Sequence, residues 1–286
     1  MPKVVVVGDV IDDILVKPKT AIRTDTDTPA EIKLSPGGSG ANFACWLASL
    51  GTEVDFVGRV SAHDIQRHSE NLKSFGVNPI LQADPKLPTG SIVVLVEGEQ
   101  RSFLTDRGAN KNLDVSELSD FGLALYLSGY SLFGSMPAKD FKLLIRRAKT
   151  AGAMVVCDPG SAGFIADYSA AKFFEATKGV DLLTPSLEEG RVLTGELEPR
   201  LIAFALQERY PMVALTLGRE GIMVCHKNEA TLIPAKKVKV VDPTGAGDAT
   251  TASLVADLIQ GIDLESAAKN AVVAGANAVT RSGGRP

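Results

Sequence analysis

Short apolar runs alternate with longer amphipathic segments along most of this chain, and that alternation limits the possible fold more than any other feature. The runs are typical of strands buried on both faces of a sheet, and they lie at Val4–Val7, Val54–Val60, Leu123–Leu127, Met154–Cys157, Val180–Leu183 and Met212–Leu217. Apolar residues at three-to-four spacing predict helices at Gly40–Leu50, Ala138–Ala151, Gly163–Thr177 and Pro199–Arg209. This order predicts an α/β fold with a doubly wound, mostly parallel sheet, helices on both faces, and ligands at the carboxyl ends of the strands.

Two segments interrupt this rhythm. Residues from about 11 to 36 are polar and rich in Thr and Asp, with a short alternation at Glu31–Leu34. Residues from about 90 to 110 are typical of a hairpin, with strands Ser91–Val96 and Arg101–Thr105 joined by a turn at Glu97–Glu99. We expect the two segments to form a small β-sheet lid on a single α/β domain that spans residues 1–286. The alternative is that the two segments are surface loops without a function.

Composition and charge exclude several classes of protein. The chain is 45% hydrophobic and 22% charged, as in ordinary soluble globular proteins, and its net charge of −4 does not favour a nucleic-acid partner. Because no apolar run approaches the ~18–20 residues that span a bilayer, we expect no membrane contact. Val4–Val7 is too short for a signal-peptide core, and the three cysteines form no CxxC pair. We therefore expect reduced thiols and a cytoplasmic location.

A glycine-rich stretch, VVDPTGAGDA at residues 240–249, opens a long apolar helical pattern that ends near Gly261. Glycines at a helix start let an anion approach the free N–H groups of the first turn. Asp248 in that turn has two explanations. It can simply stabilise the helix dipole, by about 0.3–1 kcal/mol, or it can accept a proton from a hydroxyl that attacks a phosphate held by the N–H groups.

Other catalytic and nucleotide-binding motifs are absent from the sequence. There is no Gly-Lys dipeptide, which excludes a Walker A loop. The G-x-G-x-x-G spacing fails because Thr250 stands at the third glycine position, so a dinucleotide oxidoreductase is not favoured. HExxH does not occur, and Ser39 is not part of a GxSxG motif because Ala41 follows at the last position.

A second glycine cluster, SPGGSGANFA at residues 35–44, opens an earlier helical pattern. GGSGAN and DPTGAGD together closely resemble the two signatures of the ribokinase-like (PfkB-type) carbohydrate kinase family. The resemblance spans nearly the whole chain, since Asp13, the TLGREG stretch at 216–221 and AVTR at 278–281 follow in the family's order. It implies ATP-dependent phosphoryl transfer with Mg²⁺, and it leaves open a monovalent cation such as K⁺. It also implies a homodimer that forms through the lid.

The resemblance also implies roles for particular residues. Asp248 matches the general base, and Gly245, Ala246 and Gly247 match an anion hole for the transferred phosphoryl group. Positions that bind sugar hydroxyls are matched by Asp13, Gly38 and Asn42, and positions beside the nucleotide by Thr216 and Gly218.

One part of the pattern departs from the family. The usual Asn-x-x-Glu, which helps to hold Mg²⁺ and phosphate through water, is replaced by Ser186-Leu187-Glu188-Glu189. Glu189 is expected to keep a water-mediated metal contact, and Ser186 to contact water or phosphate near the nucleotide. Both glutamates can alternatively be first-turn helix acids.

The sequence thus predicts an ATP-dependent kinase for the primary hydroxyl of a sugar or sugar-like molecule. A nucleoside kinase is the alternative within the same chemistry, and an inactive sugar- or nucleotide-binding sensor is the alternative outside it. A sugar-phosphate substrate needs cations near the lid, for which the candidates are Arg23, Lys33, Arg101 and Arg107. Arg107 is included among the substrate-binding residues, although it can also be a solvated lid arginine.

Overall fold

Most of the described chain is organised around one large sheet. The computed structural model describes residues 3–98, 100–134 and 136–286, so Glu99 of the predicted turn lies outside the described residues. Within them the main sheet has nine strands, in the order β13-β12-β11-β10-β9-β8-β1-β4-β5. These strands are β1 (Lys3–Val7), β4 (Glu53–Ser61), β5 (Asn78–Asp84), β8 (Ala124–Ser128), β9 (Met154–Asp158), β10 (Leu182–Leu183), β11 (Met212–Thr216), β12 (Gly221–His226) and β13 (Glu229–Pro234). Neighbours pair in parallel, except that β12 is antiparallel to both β11 and β13.

Helices cover both faces of this sheet. Val4 and Val6 of β1 pack into one apolar cluster, and Val5 and Val7 pack into the other, because successive side chains of a strand point to opposite faces. The first cluster is completed by α1 (Ser39–Ser49), α2 (Ile65–Ser74), α8 (Ala246–Leu258) and α9 (Leu264–Ala278). The second is completed by α3 (Ala138–Thr150), α4 (Ala162–Tyr168), α5 (Ala170–Ala176), α6 (Leu187–Thr194) and α7 (Pro199–Gln207).

The structure confirms the α/β fold and all six predicted strands, although the run at 180–183 keeps only Leu182 and Leu183 as β10. The single helix predicted at Gly163–Thr177 is wrong. It is two helices, α4 and α5, separated at Ser169, whose φ of 87° is left-handed and cannot continue a helix. The sequence pattern hid the break because Ile165 and Phe173, on either side of it, are buried in the same cluster.

The two interrupting segments form a second sheet, which we call the small sheet. Its strands are β2 (Ile11–Pro18), β3 (Ala30–Gly37), β6 (Gly90–Glu97) and β7 (Gln100–Asp106), in the order β3-β2-β6-β7. One face lies over a cavity. On the other face, an apolar group of paired positions runs across all four strands: Ile14, Val16, Ile32, Leu34, Val93, Leu95 and Leu104. Polar residues, among them Asp12, Ser91 and Asp106, lie on the same face toward one end of the strands. Ile32, Leu34 and Leu104 are largely exposed to solvent.

Among the helices that the structure describes, none combines the length and the apolar character needed to cross a membrane. The three cysteines are buried and unpaired, as expected.

A close contact of two glycines sets the position of α1. A Cβ atom on Gly40, in the first turn of α1, would lie 2.8 Å from the Cα atom of Gly8, just after β1. The helix therefore begins directly against the carboxyl end of β1, and this brings its first residues to the edge where ligands bind in such sheets.

We predict that Gly40→Ala lowers the free energy of unfolding by about 1–3 kcal/mol, because backbone must move to admit the methyl group. Equilibrium urea unfolding measures the change. Gly163→Ala in α4 is the matched control, since its Cβ would meet only the Ser161 hydroxyl, at 3.8 Å. We expect the control to change the stability by less than about 1 kcal/mol. Equal losses in the two variants would contradict the role of the Gly8–Gly40 contact.

Candidate active site

The first turn of α8 has the geometry of an anion-binding site. Gly245 caps the helix with a left-handed φ of 78°, and a Cβ atom there would lie 2.3 Å from the carbonyl oxygen of Gly284. Only glycine fits this position. The next residues, Ala246 and Gly247, begin the helix, whose first N–H groups lack intrahelical acceptors and carry a partial positive charge. The Ala246 N–H already donates to the Pro243 carbonyl oxygen, in a long bond of 3.3 Å. The helix start has the character of an anion-binding site, and the anion hole at residues 245–247 stays a prediction.

Asp248 follows in the same turn and carries an altered pKa. The hydroxyl of Ser39 donates a hydrogen bond of 2.9 Å to its Oδ1 atom. Removal from water raises the pKa of Asp248 to about 7, although hydrogen bonds from Ser39 and Asn42 oppose the rise; the negative charges of Asp9 and Asp13 add to it. A carboxyl group with a pKa near 7 is suited to take up and release a proton at neutral pH.

Three cavities meet at the start of α8. The small-sheet cavity, about 200 Å³, lies under the small sheet and is lined by Gly245 and Asp248. The large cavity, about 650 Å³, is lined by Ala246 and Gly247. The acidic cavity, about 200 Å³, is lined by Gly247 and Asp248 together with Asp158 and Glu189. An anion bound at this helix start can therefore contact molecules that occupy different cavities.

The three predicted sugar-binding residues line the small-sheet cavity, near Asp248. Gly38 caps α1 with a φ of 96°, and a Cβ atom there would lie 2.4 Å from the carbonyl oxygen of Asp9. The carboxyl group of Asp13 occupies the space left by the missing side chain of Gly37, where a Cβ atom would lie 2.2 Å from it. Burial raises the pKa of Asp13 to about 6 against the opposing charge of Arg285.

Arg285 orients Asn42, and sequence analysis missed it. Its Nε atom donates to Oδ1 of Asn42 at 3.1 Å, and its Nη2 atom donates to the carbonyl oxygen of Gly37 at 3.0 Å. The indole nitrogen of Trp46 holds the preceding residue by donating to the Gly284 carbonyl oxygen at 2.9 Å. Because the Asn42 oxygen already accepts the bond from Arg285, its NH₂ group is the part that can donate to Asp248 and to a molecule in the cavity.

The large cavity contains the residues predicted to lie beside a nucleotide. Thr216, at the end of β11, and Gly218, in the following turn, lie on one side. Ala276 and Val279, in and just after α9, line it as well, so its wall includes apolar surface. Its volume lies in the range of cavities that hold a whole small-molecule ligand.

Ser186 and Glu189 have a structural role at a helix start, which the sequence analysis gave as the alternative for Glu189 but not for Ser186. They form a reciprocal capping box at the start of α6: the Ser186 N–H donates to Oε2 of Glu189 at 2.8 Å, and the Glu189 N–H donates to the Ser186 hydroxyl at 3.3 Å. Both still line the acidic cavity. Burial raises the pKa of Glu189, and burial together with the nearby Glu189 and Asp248 charges raises the pKa of Asp158.

The turn at Asp158 follows a predicted strand, so the sequence places it at the ligand edge of the sheet, and it can also serve as an ordinary helix entry. The structure puts it at the carboxyl end of β9, the edge where ligands bind in a parallel sheet. Tyr130, which lines both the small-sheet and the acidic cavities, follows β8 in the same way. For Arg285 we find no comparable signal, since it lies near the chain end outside any helix or strand.

Arg107 is not a solvated arginine. It follows β7, lines the small-sheet cavity, and its Nε and Nη2 atoms are buried without a hydrogen-bond partner in the described part of the chain. Of the other candidate cations, Lys33 and Arg101 also line this cavity, whereas Arg23 is exposed outside it.

The family of the chain follows from comparison with known proteins. The model of the pfkB family carbohydrate kinases matches residues 1–286. This chain is a pfkB-family carbohydrate kinase.

A fructokinase of Vibrio alginolyticus is 28% identical over 303 residues, covering 99% of this chain and 94% of the relative. A fructokinase of Vibrio cholerae O395, solved with fructose, ADP and calcium, has a TM-score of 0.82 at 27% identity and covers 99% and 94% of the two chains. An adenosine kinase of Sinorhizobium meliloti has a TM-score of 0.89 at 23% identity, covering 100% and 96%, and so shares the ribokinase-like fold.

We predict that Asp248→Asn makes this pfkB-family protein more stable, and more so at pH 8 than at pH 5. The carboxyl pKa rises from 3.8 to about 7 on folding. The protonated side chain is thus favoured in the folded state, and as the pH rises through 7 the ionised Asp248 costs stability that asparagine does not. Differential scanning calorimetry at both pH values measures the difference. Asp167→Asn, at an exposed acid of α4, should change Tm little at either pH. A lower Tm for Asp248→Asn at pH 8 would contradict the assigned pKa.

Proposed function

We propose that the chain transfers the γ-phosphoryl group of ATP to the primary hydroxyl of a small sugar-like molecule. The observation that supports this most is the position of Asp248. It lies in the first turn of α8 beside the N–H groups of residues 245–247, and it borders both the small-sheet cavity and the acidic cavity. A base and an anion cradle in adjoining positions are what phosphoryl transfer to an alcohol requires.

The acceptor binds in the small-sheet cavity. Asp13 and Asn42 bind its hydroxyl groups. Gly38 has no side chain in that corner of the cavity, so the hydroxyl groups can also approach its backbone. Asp248 takes the proton of the primary hydroxyl as that oxygen attacks. The N–H groups of Gly245, Ala246 and Gly247 stabilise the negative charge of the transferred group. The small sheet closes over the acceptor and keeps water away from the transfer.

ATP binds in the large cavity, with its phosphates toward the start of α8. Thr216 and Gly218 lie against the nucleotide, and Lys236 and Lys237 line the same cavity, where their charge favours a polyanion. Gly247 lines both this cavity and the acidic cavity, so the terminal phosphate can reach the N–H groups from this side.

The acidic cavity fits Mg²⁺ that is bound through water. Asp158 and Glu189 are buried carboxyl groups, each with a raised pKa, and a cation relieves their mutual repulsion. Among the described residues no group of three or more Asp, Glu, His or Cys side chains is arranged to hold a metal directly. Mg²⁺ typically keeps several waters and binds few carboxylates, so two are enough. Bound there, it would neutralise phosphate charge, while Ser186 orients the Glu189 backbone through the capping box.

A nucleoside remains the alternative acceptor, since its ribose presents the same kind of hydroxyl. An inactive sensor is disfavoured because Asp248 and the three cavities at the start of α8 are intact. An assay of ADP release with ATP and a panel of pentoses, hexoses, keto-deoxy acids and nucleosides separates these alternatives. Ligand binding without ADP release from any acceptor would favour the sensor.

We predict that Asp248→Asn lowers kcat by ~10²–10⁴-fold while the affinity for ATP changes little, because the variant loses only the general base. In the wild type, kcat/KM rises with pH and levels off above about 7, following ionisation of the Asp248 carboxyl group. Steady-state kinetics from pH 5 to 9 and calorimetric binding of ADP measure both effects. A wild-type rate in the variant, or a pH profile that is the same in both proteins, would contradict the assignment.

We also propose that two copies associate through the apolar face of the small sheet. Leu34 and Leu197 are 70% and 69% exposed, but only Leu34 belongs to that continuous apolar face. We predict that Leu34→Glu gives a monomer, whereas Leu197→Glu leaves the dimer intact, because burial of a charge at an interface is costly. Sedimentation velocity measures the mass. A monomeric wild type, or a Leu34→Glu variant that stays dimeric, would contradict this interface.

A further inference from the structure

Arg107 carries two buried hydrogen-bond donors that the fold does not use. Its Nε and Nη2 atoms are shielded from solvent and have no partner among the described residues, and none of the ion pairs between described residues includes this side chain. Buried donors of a charged group are costly when they are left unpaired. Nε and Nη2 are also the pair that forms one edge of the guanidinium, and that edge binds a carboxylate or phosphate through two parallel hydrogen bonds.

The backbone of Arg107 is held in place by Asn110. The backbone N–H and the side-chain Nδ2 of Asn110 both donate to the Arg107 carbonyl oxygen, at 3.0 and 3.1 Å. The same Nδ2 donates to the Val10 carbonyl oxygen at 3.1 Å, and the Val10 N–H donates to Oδ1 of Asn110 at 3.3 Å. The backbone of Arg107 is therefore tied to the segment that follows β1, and the residue lines the small-sheet cavity.

The surroundings of Arg107 do not satisfy its charge. Burial lowers the pKa of its guanidinium, against the opposing charge of Asp9 and the influence of Tyr130, yet an arginine stays protonated. The Asp9 carboxyl group accepts a hydrogen bond from the Ser128 hydroxyl at 3.2 Å and makes no ion pair with Arg107 within 4.0 Å.

The other cations of the small-sheet cavity are committed or exposed. Arg101 donates to Oγ1 of Thr244 at 3.1 Å and pairs with Asp242 at 3.3 Å. Lys33 lies on β3 with an exposed side chain. Of the described cations that line this cavity, Arg107 is the one whose donors are both buried and unpaired.

We propose that Arg107 binds an anionic group of the acceptor, so that the acceptor is a sugar acid or a sugar phosphate. This inference rests on the proposed kinase function. The primary hydroxyl of the acceptor lies at Asp248, and its carboxylate or phosphate lies at Arg107. The anionic group is not altered: the γ-phosphoryl group passes from ATP to the hydroxyl oxygen, the hydroxyl proton passes to Asp248 and then to solvent, and ADP leaves.

Matched pairs of acceptors test the inference. D-Glucose and D-gluconate differ by a carboxylate, and D-fructose differs from its 1-phosphate and 6-phosphate by a phosphate; 2-keto-3-deoxygluconate is a further acid. We expect one anionic member to exceed its neutral partner in kcat/KM by about 10- to 100-fold, the usual value of hydrogen bonds to a charged group. Which pair shows the preference distinguishes a carboxylate from a phosphate.

Variants of Arg107 supply the second part of the test. Arg107→Gln should lower the anionic-to-neutral ratio of kcat/KM by about 10- to 100-fold, and Arg107→Lys should lower it less, since it keeps the charge but loses the two-donor edge. Arg23→Gln, at an exposed arginine outside the cavity, should keep the ratio. Because no described residue pairs with these donors and their burial is costly, we expect Arg107→Gln to keep or raise the Tm of the free protein.

The possible failures are distinguishable. A chain that phosphorylates neutral acceptors at least as well as anionic ones, with a ratio that Arg107→Gln does not change, overturns the inference and leaves the kinase proposal standing. No ADP release from any acceptor overturns the kinase proposal; calorimetric binding of the anionic compounds to the wild type and to Arg107→Gln then decides the inference. If none of them binds, or if both proteins bind alike, Arg107 is not an anion site.

Discussion

The close approach of Gly245 to Gly284 is the contact on which the arrangement of the site depends. It fixes the left-handed cap of α8, so the helix starts where three cavities meet. A side chain at residue 245 would push the chain end away, and with it Arg285, which orients Asn42 toward Asp248. One backbone contact thus sets the direction of the N–H groups and the surroundings of Asp248.

The charged side chains around the start of α8 are largely removed from water, so solvent screens their interactions only weakly. Asp13 and Asp248 both have raised pKa values because burial disfavours their ionised forms, and Arg285 partly offsets the effect at Asp13. On the other side, the charge of Glu189 adds to burial in raising the pKa of Asp158. Ionised carboxylates held in these places lower the stability of the folded state, and perturbed groups of this kind are common at catalytic centres.

The sequence allowed the fold to be predicted, and the site residues that it named all line the three cavities, because both depend on local patterns. Apolar runs such as Val4–Val7 are long enough to define strands, and glycine clusters mark helix starts that ligands can approach. The break at Ser169 and the partnership of Arg285 with Asn42 could not be predicted in this way. The first leaves the apolar spacing unchanged, and the second joins residues 243 positions apart through hydrogen bonds that no local pattern records.

The most direct test of this account is a crystal structure of the protein with ADP, Mg²⁺ and aluminium fluoride, which mimics a phosphoryl group in transfer. We expect the fluoride ligands to accept hydrogen bonds from the N–H groups of residues 245–247, with the Asp248 carboxyl group beside them and facing the small-sheet cavity. ADP bound elsewhere, or a phosphoryl mimic that does not contact the start of α8, would contradict the central claim.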